Sequence, residues 1–329
     1  MKRRALITWL GGVALSSPFL VRAGRAQQTL PVIGFLSSGS PTRDDPIFDA
    51  FQQGLATTGL VVGRDVNLEF RIGTHEQFLE HAEELVRRKV AVLVLAGTMP
   101  PPRLAVSAAA SSIPIVFASA IDPVEAGVVI SLSRPGGSVT GVATLNVELA
   151  AKRLELLREL LPHAATVALM VNPENAPMTR AYTDRTQAAA AALTLEVKVL
   201  QASAASDIDA AFAVFARERP DALVITPDTF FNSRIVQLAS LALRHKMPAI
   251  YHFRSFAAAG GLIAMGGSLT EAYMQVGIYT GRIIKGEKPA DLPVVQATTV
   301  ELVFNQKTAK ALGLAVPPRF LVRADEVIE

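Results

Sequence analysis

The sequence alternates short, continuously apolar runs with longer segments whose apolar residues recur at helical spacing. Runs that are apolar at every position predict parallel strands covered on both faces, because a strand with one exposed face alternates polar with apolar residues. Strands that alternate with helices along the whole chain predict an α/β protein with doubly wound sheets. The predicted strands cover residues 32–36, 66–70, 90–95, 114–118, 166–171, 195–200, 222–226 and 248–251, with a final strand near 300–304.

Helical patterns occupy the segments between these runs. Asp45 followed by Pro46 is typical of a helix start, since an N-cap residue is often followed by proline at the first helical position. A stripe over residues 149–161 carries leucines and Arg153 on one face and is stopped by Pro162. Further helices are predicted over residues 181–193, 235–243 and 271–285.

Two glycine-rich stretches, residues 134–141 and 259–267, interrupt this order. We interpret them as breaks between successive α/β series, because glycine permits the backbone to turn and weakens regular strands. At 329 residues the chain is also longer than one average domain. Two α/β series with a late return of the chain predict two similar lobes joined by several crossings.

The first 26 residues read as an export signal. A basic start, Lys2 to Arg4, precedes an apolar stretch, and small residues at Gly24 and Ala26 are typical of a cleavage site. Cleavage near Ala26 therefore predicts a periplasmic protein, by either the Sec or the twin-arginine route. No later run is long enough to span a bilayer.

Charge and cysteine content exclude several classes of protein. Five of the 32 basic residues lie in the first 26 positions, which leaves 27 basic against 29 acidic residues and a net charge of −2 in place of +3. That balance argues against nucleic-acid binding. The chain has no cysteine, so disulfides, thiolate metal sites, a cysteine nucleophile and the acylated cysteine of a lipoprotein are all excluded.

Small polar residues follow many of the predicted strands. In open α/β sheets ligands bind outside the carboxyl ends of the strands, so these loops are the expected binding site, although any one of them can instead cap a helix. A cleft lined by hydroxyls, amides and two carboxylates suits a small zwitterionic or hydroxylated solute. The candidate ligand-binding residues are Ser37, Ser38, Thr98, Ser119 and Asp122 in the first series and Asn172, Asn175, Asp228 and Tyr251 in the second.

Catalytic and cofactor motifs are missing from the sequence. It contains no G-x-S-x-G, no phosphate loop and no dinucleotide fingerprint. His75 and His81 are six residues apart, which places them about 240° apart on a helix, so they do not converge on a metal. We therefore predict no cofactor, no metal site and no enzyme activity. If the protein were instead an exported α/β hydrolase, Asp122 and His252 would be the one acid–base pair to test in this sequence.

Several segments resemble the solute-binding proteins of ABC transporters, in the branch related to tryptophan- and tyrosine-binding receptors with the type I periplasmic binding fold. The resemblance covers essentially the whole chain after the export signal. It is carried by residues 34–41 (GFLSSGSP), 113–118 with Asp122-Pro123-Val124 and Gly127, 134–141 (RPGGSVTG), Asn172-Pro173, 284–293 (IKGEKPADLP), 302–314 (LVFNQKTAKALGL) and 323–328 (RADEVI).

The resemblance implies two Rossmann-like lobes joined by three crossings, with the ligand clamped between them. On this basis residues 27–143 and 253–292 form the first lobe and residues 144–252 and 293–329 the second. Hinges are expected near Gly141, Tyr251 and Pro293, since a few loop residues absorb domain closure.

The resemblance also implies a function. The ligand is delivered to a membrane permease that a separate ATPase drives, and we expect the binding protein to be a monomer. An amino acid ligand would set its ammonium against Asp122 or Asp228 and its carboxylate against hydroxyl and backbone N–H groups. Relatives often have a Ser-Tyr-Gly-like stretch at residues 264–266 and a proline at His252, so a branched-chain amino acid or an aromatic acid stays open as the ligand. A ligand-sensing module for a signalling partner is the alternative function.

Overall fold

The apolar runs form strands in two separate sheets. The protein is described by a computed structural model that covers residues 30–37, 46–73, 75–96, 113–144 and 146–329, with side chains described from Ile47 in the first helix and Gln77 in the second. The export signal, Ser38 and Thr98 lie outside these residues. The strands are β1 (Val32–Ser37), β2 (Asn67–Ile72), β3 (Val92–Ala96), β4 (Ile115–Ser119), β5 (Val139–Ala143), β6 (Thr166–Val171), β7 (Glu196–Gln201), β8 (Ala222–Ile225), β9 (Ala249–Tyr251), β10 (Ile263–Gly267), β11 (Val295–Gln296), β12 (Val300–Asn305) and β13 (Glu326–Ile328).

Helices connect most of these strands, and those predicted from the apolar stripes are confirmed. The described helices are α1 (Pro46–Thr57), α2 (His75–Arg87), α3 (Ala150–Leu160), α4 (Ala176–Ala192), α5 (Ala205–Glu218), α6 (Thr229–Asn232), α7 (Ile235–Arg244), α8 (Arg254–Ala258), α9 (Leu269–Ile284), α10 (Gln306–Ala311) and α11 (Pro318–Arg323). A short 3₁₀ turn, Pro289–Asp291, precedes β11.

The first sheet has the strand order β11-β5-β4-β3-β1-β2 and every pair in it is parallel. Its central strands β3 and β4 are buried at every position, as continuous apolar runs require. Helices α1 and α9 cover one face together. Their backbones approach closely at Gly277, where an added Cβ would lie 2.1 Å from Phe51 O.

The second sheet has the order β13-β12-β10-β9-β8-β6-β7. Its pairs are parallel except β10 with β12, which is antiparallel. Two buried apolar clusters lie on its two faces, one built on α3 and α4 and one on α5 and α7. The predicted α/β class, with two mostly parallel sheets in doubly wound layers, is confirmed.

Sheet membership corrects the predicted lobe boundaries. Strand β10 pairs with β9 and β12, so the chain does not leave the second sheet at residue 252 but at Ser268. Strand β11 pairs with β5, so the chain stays with the first sheet until residue 296. The predicted boundaries at 252 and 292 were wrong because the glycine-rich stretch at 259–267 ends in a strand, Ile263–Gly267, and Pro293 precedes another.

The three connections between the sheets lie side by side at Thr144 with residues 146–149, at Ser268 and at residues 297–299. Ser268 N donates to Thr299 O at 2.9 Å, and a Cβ added to Gly267 would lie 2.6 Å from Thr144 O. None of the predicted hinge residues lies on a connection: Gly141 is inside β5, Tyr251 ends β9, and Pro293 accepts a hydrogen bond from the Tyr279 hydroxyl at 2.6 Å.

The loop at residues 134–138 enters β5 at its amino end. Gly136 and Gly137 have φ of 74° and 63°, a left-handed conformation that favours glycine. The stretch 134–141, interpreted from sequence as a break, is therefore a glycine turn followed by a buried strand. The loop reaches the sheet at the edge opposite to the carboxyl ends of the strands.

Candidate functional site

The carboxyl ends of strands from both sheets meet at one cavity of about 100 Å³. Such an edge is where parallel α/β sheets bind ligands, because loops and exposed backbone groups converge there. The first sheet and its helices contribute Ser37, Ile47, Ala96, Ala118, Ser119, Ala120, Leu269 and Tyr273; the second contributes Met178, Pro227, Asp228, Thr229, Asn232, His252 and Phe253; and the first connection adds Thr144 and Asn146.

Asp228 is the carboxylate in this cavity wall. It follows β8, is only 5% exposed, and caps α6 by accepting from Phe230 N at 2.9 Å. Its two oxygens also accept from Asn172 Nδ2 at 3.0 Å and Asn175 Nδ2 at 2.7 Å. All three donors are neutral, and within the described ranges no lysine or arginine forms an ion pair with it. A carboxylate has about four acceptor positions, so a cationic ligand group still finds one.

Tyr251 supports Asp228 from behind the cavity wall. The side chain is fully buried, and its hydroxyl donates to Asn232 Oδ1 at 2.7 Å and lies 3.1 Å from Asp228 O. Burial, with a smaller contribution from the Asp228 carboxylate, raises the pKa of Tyr251 well above its usual value, so the hydroxyl keeps its proton and donates. The tyrosine therefore braces the backbone of Asp228 and the side chain of Asn232 from behind the cavity wall.

The opposite side of the cavity carries hydroxyl and amide groups. Ser119 ends β4, and its carbonyl accepts from Thr144 N at 2.8 Å and Thr144 Oγ1 at 3.2 Å. Thr144 Oγ1 in turn accepts from Asn146 Nδ2 at 3.0 Å. Ser37 ends β1 and is also buried in the wall. These groups are fixed by backbone contacts before any ligand arrives.

A fully buried arginine stands directly behind Asn146. The Arg153 guanidinium donates to Asn146 O at 2.7 Å, Asn146 Oδ1 at 2.6 Å, Tyr182 OH at 2.9 Å and Met265 O at 2.8 Å. Among the residues that the structure describes, no carboxylate lies within ion-pair distance of it. The protein therefore keeps a positive charge in its interior on neutral acceptors alone, which is costly in free energy.

His252 lines the same cavity and is 7% exposed. Its Nδ1 is buried and has no hydrogen-bond partner in the described part of the chain. Burial, and to a smaller degree the charge of Arg153, hold the pKa of His252 well below its usual value of about 6.5. The ring is therefore neutral at physiological pH.

The neutral state of His252 predicts a loss of stability in acid. Because the unfolded chain binds a proton near pH 6.5 and the folded chain does not, the free energy of unfolding should fall as pH drops below about 6.5, by at most about 1.4 kcal/mol per pH unit for this one group. Denaturation from pH 7.5 to 5 should show His252→Gln losing less stability than wild type. The exposed His163, changed to glutamine, is the control; an identical pH profile for wild type and His252→Gln would contradict the prediction.

A second, wider cavity of about 570 Å³ adjoins the first and shares Ile47, Asn232, His252, Phe253 and Leu269 with it. The shared wall combines three apolar residues with Asn232 and His252, and the rings of His252 and Phe253 stack with centroids 5.9 Å apart. The space thus has a polar end at Asp228 and Asn146 and an apolar end at Phe253 and Leu269, and the wide cavity is lined further by the charged Arg254 and Glu301.

The structure brings most of the described candidate residues together. Ser37, Ser119 and Asp228 line the cavity, whereas Asn172, Asn175 and Tyr251 hold Asp228 in place. Ser38 and Thr98 lie outside the described residues, so their roles stay predictions. His252, which the sequence offered only as an acid–base partner of Asp122 and as a departure from relatives, also lines the cavity. Sequence reasoning missed the cavity residues Thr144 and Asn146, and it missed Arg153, whose place in an apolar stripe was the available signal.

Asp122 lies outside the cavity wall, which corrects its expected place there. Its Oδ1 accepts from Val124 N at 2.7 Å and Glu125 N at 3.1 Å, so the carboxylate caps the turn after β4. It is not hydrogen-bonded to His252, and the acid–base pair that a hydrolase requires is not formed. The capped turn instead holds Glu125, whose Oε1 lies 3.3 Å from Nη2 of Arg185 in α4. The two side chains form an ion pair between the lobes.

The comparisons with known proteins agree with this geometry. The model of the family described as ABC transporter substrate binding protein matches residues 32–328. A tyrosine-binding protein from Clostridioides difficile is 25% identical over 267 residues, which cover 80% of this chain and 75% of that protein. The crystal structure of an ABC domain in complex with L-Trp from Streptococcus pneumoniae is 26% identical, with a TM-score of 0.79, and the match covers 91% of this chain and 100% of that one.

A conserved domain protein from Vibrio cholerae has a TM-score of 0.80 at 24% identity, again over 91% of this chain and 100% of that one, which shows a shared fold. In the ranges that the structure describes, no helix combines the length and apolarity needed to traverse a bilayer.

Proposed function

The chain belongs to the family of ABC transporter substrate-binding proteins, and from that premise we propose that its cavity binds a free amino acid with an apolar or aromatic side chain. The observation that carries the proposal is Asp228, a buried carboxylate in the cavity wall whose hydrogen-bond donors are all neutral. The ammonium group of a ligand supplies the positive charge that would compensate this carboxylate. A neutral or anionic solute would leave it uncompensated.

The apolar end of the space favours the side-chain class. Ile47, Phe253 and Leu269 lie where the small cavity adjoins the wide one, so an aromatic or branched side chain would bury its surface there. The relative from Streptococcus pneumoniae was crystallised with L-Trp, and the relative from Clostridioides difficile is a tyrosine-binding protein. Both support an amino acid of this kind.

A thermal-shift screen tests the proposal directly. L-tryptophan, L-tyrosine, L-phenylalanine and L-leucine should raise the melting temperature, because a ligand that binds only the folded state stabilises it by about 2.7 kcal/mol at a hundredfold excess over its dissociation constant. Hits are then measured by isothermal titration calorimetry. Lysine and aspartate serve as controls, since their charged side chains do not suit the apolar end.

The screen includes analogues that lack the ammonium group, such as 3-(indol-3-yl)propionate. The proposal requires these analogues to bind more weakly than the parent amino acid. Absence of any amino acid hit at millimolar concentration, or tighter binding of the deaminated acids, would count decisively against it.

The partner and location form the second part of the proposal. We infer that the protein works outside the cytoplasm and hands its ligand to the permease of an ABC transporter. Its family and the basic-apolar start of the sequence support this. Capture of the ligand-loaded protein from detergent-solubilised membranes should recover a permease together with its ATPase. Recovery of a sensor kinase ectodomain instead would favour the sensing alternative.

A further inference from the structure

The guanidinium of Arg153 is positively charged, so it cannot hold the ammonium group of a ligand. It contacts Asn146 and not Asp228, at the polar end of the cavity. Burying a guanidinium costs several kcal/mol unless its donors are satisfied and its charge is compensated. Four of its hydrogen bonds are made, but all go to neutral oxygens. Its charge is therefore available to an anion that binds near Asn146.

Asn146 connects this charge to the cavity. An arginine has donors only, so the hydrogen bond from Arg153 Nη2 at 2.6 Å fixes Asn146 Oδ1 toward the guanidinium and turns Nδ2 away from it. One Nδ2 hydrogen goes to Thr144 Oγ1 at 3.0 Å. An amide nitrogen has two hydrogens, and Asn146 is part of the cavity wall. The second hydrogen is therefore a donor that the arginine orients and polarises toward a ligand.

We propose that Asn146, backed by Arg153, is the subsite for the carboxylate of the ligand: Nδ2 donates to it directly, and the guanidinium compensates its charge through the amide. This rests on the proposed function and makes it more specific. Asp228 then provides a negative site and Arg153 a positive one, and each is hydrogen-bonded only to neutral protein groups. The ammonium and the carboxylate of a zwitterionic ligand would compensate these two charges. The arrangement selects free α-amino acids over amines, over amino acid amides and over peptides that carry an amide at this position.

The sharpest variant is Asn146→Asp. The new carboxylate keeps an acceptor for Arg153 and another oxygen for Thr144. The Thr144 hydroxyl can turn from Ser119 O to donate to it, and Ser119 O keeps its bond from Thr144 N, so the fold should persist. It also compensates the guanidinium internally and repels a ligand carboxylate. We expect L-tryptophan to bind about 100-fold more weakly, since a hydrogen bond to a charged group is lost and a like charge is gained.

A matched ligand separates this effect from structural damage. Tryptamine carries the ammonium but no carboxylate, so Asn146→Asp should bind it as well as wild type does, or better. Asn146→Ala removes the donor without adding a charge and should weaken L-tryptophan about tenfold. Lys152→Gln, an exposed change beside Arg153 on α3, should leave both ligands unaffected. Calorimetry gives the dissociation constants, and melting curves confirm that each variant is folded.

The outcomes distinguish this proposal from the proposed function. Equal loss of L-tryptophan and tryptamine in Asn146→Asp, or no loss of L-tryptophan, overturns the carboxylate subsite while leaving amino acid binding in place. If wild type binds none of the amino acids, indole-3-acetate tests the subsite alone. Stabilisation of wild type but not of Asn146→Asp by this acid supports the subsite, and an equal or absent response overturns it.

Discussion

Replacing Asp228 with asparagine is expected to weaken the binding of L-tryptophan at least about 100-fold. The change keeps the shape of the side chain and one oxygen for the cap of α6, but it removes the charge that an ammonium group requires. Calorimetry on wild type and Asp228→Asn gives the ratio of dissociation constants. The same change should improve the binding of 3-(indol-3-yl)propionate, because a buried anion no longer repels the ligand.

A matched control exists at the other end of the same strand. Asp221 precedes β8 and accepts from Ala165 N at 2.7 Å and Thr166 N at 2.9 Å, far along the strand from the cavity. Asp221→Asn should leave affinity unchanged. Loss of both ligands in Asp228→Asn with an unchanged melting temperature would contradict an ammonium site and assign Asp228 a different contact.

Replacing Gly141 with alanine is expected to destabilise the protein by about 3 kcal/mol. A Cβ at this position would lie 2.2 Å from Phe117 O and 2.8 Å from Phe117 N in the neighbouring strand. Backbone atoms in the middle of a sheet cannot move aside as a side chain can, so β4 and β5 must separate. Urea denaturation measures the difference in the free energy of unfolding.

Gly34→Ala provides the comparison, since Gly34 lies in β1 of the same sheet and its added Cβ would meet only side chains of Leu85 and Val90 at 3.2–3.3 Å. Its cost should stay below about 1 kcal/mol. If Gly141 were a hinge, its replacement by alanine would change ligand affinity and leave the free energy of unfolding nearly unchanged. Equal stabilities of Gly141→Ala and Gly34→Ala would contradict the packing explanation.

Gly141 also shows why some strands could not be predicted from the sequence. Continuous apolar runs such as residues 166–171 identified strands because they bury both faces. Strands β5 (VTGVA) and β10 (IAMGG) were missed, since glycine usually marks a turn or a bend. In both strands it instead allows a close backbone approach, at Phe117 O for Gly141 and at His252 O for Gly266. A contact with a distant residue leaves no trace in local sequence.

The site was predictable to the extent that strand ends could be located. Ser119 is the last residue of β4 and Asp228 lies three residues after β8, so the topology alone brings them to one edge. Asn146 was not predictable, because its place depends on a connection between sheets that begins two residues earlier. Arg153 gave a signal that was not used: a charged residue within an apolar helical stripe requires buried partners, and here one of these partners, Asn146, belongs to the cavity wall.

The first connection also has a kinetic consequence. Thr144 and Asn146 belong both to the cavity wall and to the segment that joins the two sheets, beside the other two connections. If Asn146 is the proposed subsite, its ligand acts on the joint itself, and we expect departure of the ligand to require movement of the joint. We expect residence time to follow the opening rate of the lobes, so variants of residues 147–149, which do not line the cavity, should alter dissociation rates even though no ligand contact changes.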